Sequence, residues 1–136
     1  MSASERRRPA GITFLAGFFL FGTIMSGLTA VMLSFPGSFL EPLWRLNPRA
    51  REGFVAMGGS AILLMVLVCA ACASAALGLW RCARWGLWTA VAILGINLAG
   101  DTANAFVLRD WHTLIGLPIG GAMLAYLIRQ RRVFLR

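Results

Sequence analysis

Four stretches of this chain, residues 12–33, 54–80, 85–108 and 112–129, consist almost wholly of apolar residues, and no other feature constrains its fold as strongly. A run of roughly 22 residues wound as a helix rises about 33 Å, enough to cross a hydrocarbon core of about 30 Å. Inside a bilayer every backbone N–H and C=O must be paired within the structure, so only helices and closed barrels can span it. Barrel strands alternate apolar and polar residues over short segments. These runs do not alternate, so helices are expected. The expected fold is an all-α membrane protein, a single integral domain over 1–136 forming a bundle of four antiparallel transmembrane helices.

Composition supports the same solvent. With 59% hydrophobic and 13% charged residues, there is too little polar surface to clothe a water-soluble globule. The basic start before the first run also suits a secretory leader, but such leaders have shorter apolar cores and a small-residue cleavage site. The first run is therefore expected to remain as a span.

The segment 34–53 is the main loop. Pro36-Gly37 signals a turn, and Glu41-Pro42 can open a short helical turn carrying Leu43, Trp44 and Leu46. Asn47-Pro48 repeats the cap-then-proline pattern and starts the second helix near Pro48. That helix is expected to continue unbroken through the apolar run 54–80. Arg81-Cys82-Ala83-Arg84 makes a tight connection, and Asp110 is placed to cap the fourth helix. Pro118 predicts a kink within that helix.

All 13 basic residues are arginine, and they lie between the apolar blocks. This distribution suits topology signals and anionic lipid, not the contiguous basic surface of a nucleic-acid-binding protein. With four spans, Arg6, Arg7, Arg8, Arg81, Arg84, Arg129, Arg131, Arg132 and Arg136 share one side. Arg45, Arg49, Arg51 and Arg109 share the other. The first side is expected to be cytoplasmic, with both termini on it. Arg129, Arg131 and Arg132 of the basic tail are expected to contact lipid headgroups.

Membrane helices associate through close packing and hydrogen bonds, so small residues should mark the contacts. Gly22, Ser26 and Ala30 form such a stripe on the first helix, and Ala71 with Ala75 on the second. Gly95, Ala99 and Ala103 form one on the third, and Gly116 with Gly120 a GxxxG on the fourth. These stripes suit packing within one bundle, or a homodimer or partner membrane protein through a stripe left facing lipid.

The third run contains Asn97, Asp101 and Asn104, at offsets that place all three on one helix face, with Gly100 beside it. An acid inside a bilayer is costly and marks an inward-facing functional path or a specific partner. Two roles fit this candidate intramembrane polar site: structural glue, with Asp101 accepting hydrogen bonds or pairing with an arginine, and a proton, ion or solute site. Cys69 and Cys72 form a C-x-x-C in mid-span, where burial opposes thiolate formation. They are weak candidates for a metal relay and stronger ones for packing. Cys82 makes the count odd, against a disulfide scaffold. His112, the single histidine, is expected at the outer interface. The chain shows no nucleotide-binding loop, nucleophile elbow or HExxH motif, so neither enzyme activity nor a cofactor is expected.

The segments FPGSFLEPLWRLNP (35–48), ALGLWRCARWGLWTA (76–90), INLAGDTANA (96–105) and DWHTLIGLPIGG (110–121) together resemble a family of small four-span bacterial inner-membrane proteins. The resemblance covers most of the chain. It implies a bacterial inner-membrane setting and carries no activity with it. Small multidrug exporters share the size and span count, but their essential glutamate lies in a first span that has no acid here. A non-enzymatic scaffold or accessory subunit fits these features. The alternative is a small proton- or ion-coupled transporter using the intramembrane Asn/Asp face.

Overall fold

A computed structural model describes residues 8–109 and 113–135, the side chains of 108 and 113 excepted. Among these residues the chain is helical without strands. The helices are α1 (Ala10–Ser34), α2 (Pro48–Met57), α3 (Gly59–Trp80), α4 (Arg84–Leu108), α5 (Thr113–Arg129) and the single turn α6 (Arg131–Phe134). A 3-10 turn, Glu41–Leu46, lies between α1 and α2. Three helices, α1, α3 and α4, are long and apolar enough to cross a membrane, while α5 is apolar but shorter. Large apolar side chains such as Phe14 (69% exposed), Leu63 (62%) and Phe106 (81%) point outward. In water such surface is an association or insertion site; in lipid it is the solvated face.

The second apolar run is not one helix. It divides at Gly58, whose φ of 64° and ψ of −141° lie where side-chain-bearing residues are strained. A helix therefore ends at Met57 and a new one begins at Gly59, so α3 covers 59–80 instead of continuing from Pro48. The start of α2 follows the sequence signal: Asn47 Oδ1 accepts a hydrogen bond from the Ala50 N–H at 3.1 Å, and Pro48 occupies the first turn. The expected loop 34–53 thus has a helix over its last residues. Asp110, with its expected capping role, and Trp111 and His112 lie outside the described residues.

Contacts divide the chain into two compact units, one of residues up to 19 together with those from 74 onward, the other of residues 20–73. In the second unit, the far part of α1 lies against the first part of α3. The Gly22 position meets Cys72 Sγ at 3.4 Å and the Gly27 position meets Cys69 Sγ at 3.5 Å, both measured from where a Cβ would stand. Ser26 and Ala30 are buried, as their stripe requires. Ser26 returns its hydroxyl to the Gly22 carbonyl at 2.6 Å, so no polar group is left in the apolar contact. Beyond α1, Glu41 pairs with Arg51 and accepts the Gly37 N–H at 3.1 Å, and Trp44 leans on Phe54 with ring centroids 6.0 Å apart.

In the first unit, the end of α3, from residue 74 on, turns tightly into the start of α4. The α3 terminus closes by two bonds, Cys82 N–H to the Leu79 carbonyl at 3.1 Å and Ala83 N–H to the Gly78 carbonyl at 2.9 Å. Cys82 between them takes a φ of 51°. This is a Schellman ending with cysteine where glycine is usual. Four residues before it, Gly78 sits against Gly86 of α4, and a Cβ on Gly78 would come within 2.3 Å of the Gly86 Cα. The two backbones touch, an approach only glycine permits. From there α4 buries Leu87, Ala90 and Leu94 at helical spacing. The stripe expected on α4 does not serve this packing: Ala99 and Ala103 are exposed, and nothing lies within 4 Å of a Cβ at Gly95. Leucines and Gly86 hold the helix instead.

At one end of this unit Arg8 stacks on the Trp80 ring at 3.8 Å, a cation–π contact. Arg84 Nη2 donates to the Leu135 carbonyl at 3.0 Å, tying the tail to the start of α4.

Candidate functional site

Helices α4 and α5 lie side by side, and α5 makes this possible with its two spaced glycines. A Cβ at Gly120 would stand 3.1 Å from Leu98 Cδ2, and one at Gly116 would stand 3.2 Å from Asp101 Oδ2. Both distances are tighter than ordinary contact. The GxxxG therefore works as the small-residue reading expects, but one of its glycines receives a carboxylate.

Around this contact is a cavity of about 200 Å³. Its polar groups are Asp101 and Asn97, one helical turn apart on α4. The rest of the wall is apolar, including Phe18 of α1, Leu94 of α4, and Ile119 and Met123 of α5. The volume suits a few waters or one small solute. Among the described residues, none donates a hydrogen bond to the Asp101 carboxylate or pairs with it as a cation. The arrangement is a single acid, half-buried, opening on a small and mostly apolar chamber. An acid in such a setting can exchange a proton, or exchange a small cation for it.

The three polar residues singled out from the sequence separate here. Asn97 and Asp101 share the cavity; Asn104 is exposed and does not line it. The offset that puts Asn104 on the same broad face also carries it one turn past the chamber. Phe18 and Met123 are contributions that sequence spacing does not signal, because neither differs in type from the apolar residues around it. Gly116 was visible in the sequence as half of a GxxxG, but its relation to Asp101 was not.

Cys69 and Cys72 lie elsewhere, in the other unit. Cys69 Sγ donates to the Thr23 carbonyl at 3.4 Å, and Cys72 is buried against the Gly22 position. Both thiols fill space beside α1 glycines. Among the described residues, no three His, Cys, Asp or Glu side chains come close enough to share a metal ion. Arg129, Arg131 and Arg132 are all exposed at the end of α5 and in α6, free to meet a charged surface.

Comparison of the chain with family models, curated proteins and solved structures gives no match.

Proposed function

We propose that this chain is a four-span protein of the bacterial inner membrane that binds a proton or small cation at Asp101 as part of transport. One observation carries the reading: an acid on a helix long and apolar enough to cross a membrane lines a cavity in which, among the described residues, no donor or cation partners it. Structural glue would place a donor there. An accessory subunit, the other expectation from the sequence, has no use for an unpaired acid whose burial costs a few kcal/mol or more.

In this reading α5 is the fourth span of an antiparallel bundle. Its 17 residues rise about 26 Å, short of a typical core but within reach of one thinned locally. Both termini are cytoplasmic, because nine arginines fall on that side and four on the other. Arg129, Arg131 and Arg132 then meet the anionic headgroups of the inner leaflet.

The test is flux. Purified chain in sealed vesicles with an imposed pH gradient should dissipate that gradient faster than empty vesicles. Asp101→Asn keeps the shape and removes the carboxylate, so it should abolish the effect while leaving helical content unchanged. Equal flux in the parent and in a folded Asp101→Asn protein would sink the proposal.

A further inference from the structure

Between α1 and α3 the chain closes around a second cavity, of about 350 Å³. Its walls are Glu41, Pro42, Trp44, Arg45, Pro48 and Arg51, so the cavity belongs to this one segment. Small-ligand pockets have volumes of about 300–1,000 Å³. Two guanidiniums and one carboxylate share the lining. Glu41 is engaged at both oxygens: one pairs with Arg51, and the other accepts the Gly37 N–H at 3.1 Å. Arg45 differs. Among the described residues no carboxylate pairs with it, so its charge is left for whatever enters the cavity. Pro48 opens α2 and brings the positive end of that helix to the same wall. Trp44, held against Phe54, supplies an aromatic side.

We infer that this cavity binds a phosphate group, supplied by the phosphodiester of a lipid headgroup, with Arg45 as its principal contact. The segment is tied at both ends to helices long and apolar enough to cross a membrane, α1 ending at Ser34 and α3 starting at Gly59. The Glu41–Arg51 and Trp44–Phe54 contacts fold it back on itself, which keeps the cavity near those two helix ends. Phe39, Leu43 and Leu46 are interspersed with Arg45, Arg49 and Arg51, a composition that suits the headgroup layer. The abundant anion at that depth is lipid phosphate. A guanidinium meets two phosphate oxygens at once. Arg51 lines the same space but keeps Glu41, so the walls carry one net positive charge, which matches the single charge of a phosphodiester. Pro42, Trp44 and Pro48 offer an apolar wall to the carbons attached to it. The inference rests on α1 and α3 crossing the bilayer and not on Asp101 binding anything.

The test is hydrogen exchange of the delipidated full chain in maltoside micelles, which contain no phosphate, followed at the backbone amides of residues 43–51. Dihexanoylphosphatidylglycerol and inorganic phosphate are added separately at matched ionic strength. The lipid should slow exchange at these amides in the parent, and at a lower concentration than inorganic phosphate does. Arg45→Gln should raise the lipid concentration needed by about tenfold, the weight of one charge-assisted hydrogen bond. Arg45→Lys keeps the charge and should recover part of the protection, which separates lost binding from a disturbed segment. Equal protection by inorganic phosphate supports the site and makes its ligand the free anion. Three results would each overturn the inference: no slowing by either compound, equal protection in the parent and in Arg45→Gln, or Arg45→Lys protected no better than Arg45→Gln. None of these readouts involves flux, so their failure leaves the Asp101 proposal standing.

Discussion

The Asp101 carboxylate rests against Gly116: its Oδ2 lies 3.2 Å from where a Cβ on that glycine would stand. Glycine at 116 therefore sets the position of the acid without a hydrogen bond to it. Gly116→Ala should move the carboxylate by a few tenths of an ångström. Alanine favours the helix by about 1 kcal/mol over glycine, which offsets much of the crowding. Stability should thus change by less than about 1 kcal/mol, while pH-driven flux falls several-fold. Thermal unfolding and vesicle flux on the same preparation separate these effects. Flux unchanged in Gly116→Ala would mean that the position of the acid does not matter.

A larger structural cost is expected at the hairpin of α3 and α4. A Cβ on Gly86 would come 2.2 Å from the Gly78 carbonyl carbon, and backbone cannot step aside as a side chain can. Gly86→Ala should force the helices apart, at about 1–3 kcal/mol or more. Gly22→Ala is the internal comparison, since its Cβ would meet the Cys72 side chain at ordinary contact, Sγ at 3.4 Å and Cβ at 3.9 Å. Unfolding by detergent titration should rank Gly86→Ala well below Gly22→Ala. The reverse order would mean that the glycine contact is not what holds the hairpin.

These two contacts show what the sequence makes legible and what it hides. Long apolar runs that do not alternate announce helices, because lipid admits only helices and closed barrels and a barrel strand would alternate. Asn47-Pro48 announces the α2 start, because cap chemistry is local. Gly58 was harder: glycine inside an apolar run is common in membrane helices, and only its φ/ψ reveals a break. The polar face of α4 was visible from spacing alone. Its division into Asn97 and Asp101 at a cavity and Asn104 outside it depends on where α5 lies, and no spacing rule within α4 contains that. Gly78 and Gly86 carry no sequence signal for the same reason, since they lie on different helices and meet only through the turn between them.

Glu41 and Arg51 hold the segment before α3 by an ion pair on an exposed surface, with side chains 33% and 52% exposed. Exposed pairs contribute little, usually below about 1 kcal/mol. Glu41→Gln should therefore leave unfolding within that range. It also weakens the charge-assisted bond to the Gly37 N–H, so the effect should appear as faster amide exchange at Gly37. Unaltered exchange there would show that the carboxylate does not order the turn.

Cys82 occupies the left-handed position that closes α3, with φ of 51°. A side-chain-bearing residue there costs roughly 1–2 kcal/mol relative to glycine. Glycine in turn gives up about 0.5–1 kcal/mol of chain entropy on ordering. The difference favours glycine, so Cys82→Gly should stabilise the hairpin by about 0.5–1 kcal/mol and raise the unfolding midpoint. Cys82→Ala keeps the Cβ and its strain, so it should leave the midpoint where it is. If alanine raises it as much as glycine does, the gain comes from losing the thiol and the left-handed ending of α3 is not under strain.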